Sequence, residues 1–390
     1  MNPLPAQDAK QEESQLQEED LACAAALASL GLSPARLRRL LAGARPTEVW
    51  SRVRSGSHPY DADGRLAAGC DGGLPERIER RCHSAGLSIL VLGAAGYPRR
   101  LTDDPEAPAV LFVRGDGYAL DGEPRAAVVG TRSASELGRR VAFDMGAALA
   151  ASGAGVVSGL ALGIDCAALS GAVTAVECSV AAPVAVLGTG HDTLGTAEQR
   201  RLAASIAETG AVISELPPGA PSARWRFAVR NRVMAGLADV VVVVECHAEG
   251  GALHTVQAAR RRQVPVAAVP GSLRGSASEG TNALLTEGAF CVRDGSDMLS
   301  LLARLTDWVP ASSRSTARPA PAPALPSGLG PLDASVLDAL QGESLGLDAL
   351  VLRTGLSLAS VAVALERLAD AGLALSEGGF WARSGSAPRP

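Results

Sequence analysis

The stretch RWRFAVRNR places Arg224, Arg226, Arg230 and Arg232 within nine residues and without an acid. Guanidinium groups present planar forks of N–H donors that suit phosphate oxygens, so the run is a candidate anion-binding patch, to which Asn231 adds an amide. Trp225 and Phe227 lie inside it and are candidates for stacking on a base. A solvated helix face is the competing explanation. Another arginine, Arg132, stands in VVGTRSASELG, where Gly130 lets the backbone approach a ligand and Thr131 and Ser133 bring hydroxyls. Comparable turns follow: SGLALGID with Ser158 and Gly159, EGGALHT with Gly250 and Gly251, and PGSLRGSASEGTN with Gly280, Thr281 and Asn282. Each alone is ordinary turn chemistry. Together they describe a phosphate-holding pocket.

Acids are fewer here. Asp165, Glu215 and Glu245 could in principle serve as acid–base groups, but each suits equally well a backbone N–H or a pocket arginine, so no catalytic residue is assigned. His247 and His254 read as polar helix-face residues, since no HExxH or Cys/His cluster surrounds them. No metal and no cofactor are expected. Seven cysteines, an odd number without a CxxC pair, argue against both a disulfide framework and structural zinc. Arg260, Arg261 and Arg262 close a helix, where cations complement the dipole.

A pocket of this kind needs elements that bring the turns to one edge. Between Pro124 and Leu305 short apolar runs alternate with amphipathic stretches, and seven runs are strand candidates: 126–130, 155–159, 183–188, 211–215, 239–245, 264–270 and 289–292. Continuous rather than alternating apolarity means burial on both faces, as in a parallel sheet covered by helices. Glu136 to Ala151 and Leu253 to Arg262 are two of the crossover helices. In such a sheet ligands sit beyond the carboxyl ends of the strands, where these turns fall.

The flanks differ. Residues 1–20 carry six acids against one lysine and are expected to be a disordered acidic tail. Residues 21–85 read as a small helical domain, with Ser33 capping a helix that begins at Pro34 and an exposed loop insertion over 51–73. The α/β domain is assigned to 86–308, a Pro/Ala/Ser linker to 309–331, and three helices followed by a hairpin with Gly378 and Gly379 at its turn to 332–384. The last pattern is that of a winged helix. Its third helix, Ser357 to Ala371, carries Glu366, Arg367 and Asp370; readers of DNA place basic groups there, so a protein-docking or regulatory role is expected.

With 390 residues, 47% hydrophobic and 20% charged, the chain has the composition of a globular protein, and no apolar run approaches the roughly 18 residues a membrane span needs. The polar N-terminus lacks the apolar core of a signal peptide, so a cytoplasmic location is expected. The net charge of −5 excludes a uniformly basic nucleic-acid binder. Any contact with DNA must come from locally concentrated arginine, be salt-sensitive and show little sequence preference.

The segments VVGTRSASELG, SGLALGID, VAVLGTG, SELPPG, FAVRNRVMAGLADVVVVVE and GTNALLTEGA resemble, in order and spacing, the core of the DNA-processing protein A (DprA/Smf) family. LSILVLGAAGYPRRLTDDPEAPAVLFVRGD, with Tyr97, Pro98, Leu101, Pro108 and Gly115, is similar to that family's lead-in. The fold this implies is α/β: a Rossmann-like doubly wound, mostly parallel sheet, with an N-terminal helical (SAM-like) domain and a C-terminal winged helix. The resemblance further implies a cytoplasmic homodimer that binds single-stranded DNA and loads RecA on it, in recombination and natural transformation, without catalysis. The family's DNA contacts map onto Arg132, Arg230 and Arg232. Leu137, Leu162 and Leu169 stand where the family has Tyr, Arg and His, and Gly250 where it has Ser, which implies lower affinity or compensation by another arginine. Two other classes compete. A nucleotide-processing hydrolase on a related fold would use Glu245 or Asp165, but EGGALHT lacks the second glycine and following acid of a PGGxGT turn. A nucleotide-sensing winged-helix regulator is disfavoured by the acidic third helix.

Overall fold

The valine- and alanine-rich runs of the central region form strands buried on both faces. The computed structural model describes residues 17–61, 64–122, 124–175, 181–220, 222–273, 275–310, 330–340, 345–377 and 380–384. The chain divides into two units, Met1–Ser315 and Thr316–Pro390. The first is built on a nine-stranded sheet: β1 Leu87–Val91, β2 Val110–Gly115, β3 Arg125–Val129, β4 Gly155–Ser158, β5 Val184–Leu187, β6 Ala211–Ser214, β7 Val240–Val243, β8 Val266–Ala268 and β9 Phe290–Cys291, in the order β1-β2-β6-β5-β4-β3-β7-β8-β9. β3 to β9 are mutually parallel. They coincide with the seven strand candidates to within a few residues.

Successive residues of each strand feed opposite faces. Ala126 and Val128 pack with Met145, Leu149, Ile164 and Met298 on one side. Ala127 and Val129 pack with Val233, Leu237, Val256 and Leu284 on the other. From β3 the chain steps outward through β4, β5 and β6, then returns to the other side of β3 as β7. The crevice between β3 and β7 is thus the switch point, where helices leave the sheet on opposite faces and a ligand can enter.

Helices Glu136–Ala151 and Ile164–Ala175 cover one face in very close contact. A Cβ on Gly146 would lie 2.0 Å from the Ala168 carbonyl oxygen, and one on Gly171 would lie 2.0 Å from that of Phe143.

β1 and β2 were not among the strand candidates. They extend the sheet antiparallel from β6, and their faces carry the N-terminal helices Glu18–Ser29, Pro34–Leu41, Pro46–Arg54, Arg65–Gly69 and Leu74–Ser84. Ser33 accepts the Arg36 N–H at the start of Pro34–Leu41, as expected. Two expectations change. The first helix begins at Glu18, inside the stretch assigned to a disordered tail: Glu18, Glu19 and Asp20 occupy its first turn, where acids are favoured by the dipole, and buried Asp20 accepts from Arg45 and Thr47. Residues 1–16 lie outside the described residues. Nor is 51–73 a plain loop: buried Asp61 accepts the N–H groups of Leu66 and Ala67 and starts the short helix at Arg65.

In the second unit, helices Pro331–Ala339, Leu347–Thr354 and Leu358–Asp370 enclose Val336, Leu350, Val361, Leu365 and Leu368. A small antiparallel sheet completes it: β10 Leu345–Gly346, β11 Ala374–Glu377 and β12 Phe380–Arg383, in the order β10-β12-β11. Gly378 and Gly379, expected at the hairpin turn, and most of the expected linker, 311–329, lie outside the described residues. Among the described residues no single helix is long and apolar enough to cross a membrane.

Gly171→Val should lower stability by about 2–3 kcal/mol or more, since the opposing atom is backbone and cannot rotate away. Urea unfolding followed by circular dichroism checks this; an unchanged midpoint would show that the two helices separate freely.

Candidate functional site

The end of β3 runs straight into VGTRSASELG, and each residue after Val129 is held by a neighbour. A Cβ on Gly130 would lie 2.5 Å from Ile164 Cγ1 and 2.8 Å from the Glu245 carbonyl oxygen, so only glycine lets β3 and β7 end this close together. The Thr131 N–H donates to that Glu245 carbonyl at 2.8 Å. Glu245 then accepts, through its carboxylate, the Ser135 N–H at 2.8 Å and the Ser135 hydroxyl at 2.5 Å, while Ser135 caps helix Glu136–Ala151 by accepting from Gly138. This network holds the turn open with Arg132 exposed at its tip.

Helix Arg224–Leu237 brings the other cations. Arg230 is 5% exposed. Its Nη1 donates to the carbonyls of Gly159 (2.7 Å) and Val186, tying the helix to the ends of β4 and β5. Asp165 lies beside it: a Cβ on Gly159 would come within 2.5 Å of both the Arg230 guanidinium and the Asp165 carboxylate. Burial pushes the Asp165 carboxyl up to about 6, against the pull of Arg230 and of backbone N–H donors at Ala161, Gly130 and Gly159. Burial likewise lowers Arg230 to about 10, with Asp165 opposing the shift. The pair therefore forms the floor of a cleft.

That cleft, about 420 Å³, is lined by Gly130, Thr131, Arg132, Arg224, Arg230, Asn231, Gly250 and Gly251 from the expected set. Asn231 Nδ2 reaches the Gly251 carbonyl at 3.4 Å. Phe227 packs on Gly188 and lies 5.0 Å beneath the Arg132 guanidinium, a cation–π contact of order 0.5–1 kcal/mol at an exposed site. Three guanidiniums thus face the cleft against one carboxylate, next to the start of helix Ala252–Arg261, which has no side-chain cap and adds a partial positive charge.

The remaining expected residues lie elsewhere. Ser133 is exposed beside the turn and donates its N–H to Thr131 Oγ1. Ser158 is fully buried and donates to the Val128 carbonyl, and Gly159 lies beneath Arg230. Arg226 lines a different cavity with Trp225, 5.4 Å from its ring. Arg232 turns to Glu215 at 2.5 Å. Gly280 donates to the Cys246 carbonyl, Thr281 is buried on the Ser278 carbonyl, and Asn282 exchanges hydrogen bonds with Gly271; the three fasten the loop after β8. His247 and His254, taken from the sequence as helix-face residues, line the cleft. Their position on either side of Gly250 and Gly251, at the switch strand, was the available signal. Leu137 and Leu162 are exposed and Leu169 is buried in the core. Arg260 and Arg262 pair with Glu287 and with Asp104 and Glu106. Among the described residues no group of His, Cys, Asp and Glu could hold a metal ion.

Fold and cleft together define a class: a doubly wound α/β domain with an arginine-lined crevice at its switch point. Residues 88–303 match the family of the DNA recombination-mediator protein A, and the chain belongs to that family of DNA-processing proteins. It is 38% identical over 277 residues to a putative DNA processing protein DprA of Mycobacterium tuberculosis, covering 70% of this chain and 68% of the relative. The X-ray structure of DNA processing protein A from Streptococcus pneumoniae superposes with a TM-score of 0.61 at 28% identity, over 73% of this chain and 98% of that one. DNA processing protein A from Helicobacter pylori, solved for its single-stranded DNA binding mode, superposes with a TM-score of 0.51 at 25% identity, over 57% and 97%.

Asp165→Ala leaves Arg230 as an uncompensated buried cation and is expected to cost about 3–5 kcal/mol. Chemical denaturation measures it, and a loss below about 1 kcal/mol would show that solvent already reaches the pair.

Proposed function

We propose that this chain binds single-stranded DNA in the cleft at the switch point and acts as a recombination mediator that loads RecA on the strand. The observation that carries the proposal is the gathering of Arg132, Arg224 and Arg230 around one cleft with Phe227 beside them. Guanidinium groups take phosphate oxygens, and an aromatic face takes an unstacked base. The Helicobacter pylori relative's single-stranded DNA binding mode supports the same ligand. Duplex DNA fits less well, since a base must leave its stack to meet Phe227.

Binding without turnover is the reading the acids support. Glu245 is committed to Ser135, Glu215 to Arg232 and Asp165 to the cleft floor, so none is poised as a free general base. We further assign the N-terminal helices to a SAM-like domain and the C-terminal unit to a winged helix. Glu366, Arg367 and Asp370 in its third helix suit docking to protein rather than reading of DNA. We place the protein in the cytoplasm as a homodimer.

Labelled single-stranded and duplex DNA titrated at several salt concentrations test the proposal. Single strands should bind more tightly, with a steep dependence on salt. Arg132→Ala should weaken single-strand binding about 10- to 100-fold, the worth of one charged hydrogen-bonding contact, without altering the unfolding midpoint. Equal affinity for duplex, or an unaffected Arg132→Ala, would overturn it.

A further inference from the structure

The cleft continues beyond its own walls. Ala228 and His254 also line a second cavity, about 440 Å³, bounded by helices Arg224–Leu237 and Ala252–Arg261 and by residues Ser33 to Arg38. Its cations are Arg38, Arg232 and Arg261, and Glu106 is its one lining acid. The side chain of Arg232 is 8% exposed and its Nη2 is held by Glu215, but its Nη1 is buried without an acceptor. A buried donor left unsatisfied is destabilising, and an incoming oxygen would satisfy it. Arg38 is held by backbone carbonyls of Asp104 and Pro105 and so keeps its charge for other partners. Arg261 is 58% exposed, and its nearest acid, Glu106 at 3.9 Å, is already engaged by Arg262 at 2.8 Å.

We infer that this second cavity is a further phosphate subsite, taken by the same nucleic-acid strand after it leaves the cleft. The inference rests on the single-stranded DNA reading above. What favours a continuing strand over a separate small anion is the shared wall: Ala228 and His254 belong to both cavities, so a chain seated on Arg132 and Arg230 passes directly to Arg232 and Arg261. The N-terminal helices, through Arg38, thereby belong to the DNA-binding surface.

Salt-dependent binding of oligothymidylates of two lengths tests this, with about 5 and about 20 nucleotides bracketing the span of single-strand-binding folds. Arg261→Ala should lower the slope of log affinity against log salt by about 0.7, one phosphate of a single strand, for the long oligomer and leave the short one unchanged. Gln257→Arg, at an exposed position of the same wall, should raise the long-oligomer slope by a similar step. Wild-type slopes in both variants, or equal changes at both lengths, would overturn the subsite while the cleft stands. If Arg132→Ala leaves the short oligomer bound, the cleft reading fails and the subsite with it.

Discussion

Everything at the switch point depends on two buried groups of opposite charge. Arg230 and Asp165 sit beneath the cleft, each shifted against its charge by burial. Taking two such groups out of water costs several kcal/mol per ion, and attraction offsets that only where the remaining hydrogen bonds are made. Here they are made in part: Arg230 Nη1 reaches carbonyls at the ends of β4 and β5, and backbone N–H groups of the β3 and β4 turns favour the charged form of Asp165, while Arg230 Nε is buried without an acceptor. The pair thus joins the ends of three strands to helix Arg224–Leu237. Gly159 follows from it, because any side chain there would occupy the guanidinium's place.

The same geometry explains why a chain of net charge −5 can present a cationic cleft. Several arginines are spent on acids: Arg45 on Asp20, Arg100 on Asp239, Arg262 on Asp104, Arg260 on Glu287. Arg132 and Arg224 have no salt-bridge partner among the described residues, and both line the cleft. Field at the site is therefore set by which arginines lack partners rather than by how many exist.

Strand positions were legible because double burial leaves a continuous apolar run, as in VVVVV before Glu245. β1 and β2 escaped: β1 is buried only at its two ends, and β2, although buried over its first four residues, lies ahead of Pro124, where the alternation of strands and helices begins. Asp20 and Asp61 misled because an acid in a polar stretch looks solvated, whereas each satisfies donors that come from residues distant in the chain or one turn ahead. At the site, the arginine cluster was legible as a cluster but not by side. Residues two apart on a helix point to different sides, so Arg230 meets Gly159 while Arg232 meets Glu215. Beside Arg230, the helix lines the cleft with Arg224, Phe227, Ala228, Asn231 and Met234, which fall at helical spacing, a pattern that counting charges hides.

Specificity on the proposed reading follows from what the cleft lacks. Base-edge recognition needs paired donors and acceptors aimed outward, yet the amide of Asn231 faces the Gly251 carbonyl and Glu245 faces Ser135. Guanidiniums, one aromatic ring and the imidazoles of His247 and His254 remain at the cleft, and the guanidiniums meet phosphates common to every nucleotide. Affinity must then be spread along the strand, over more phosphates than one cleft can hold, and a chain gripped in this way is read for being single-stranded and not for its sequence.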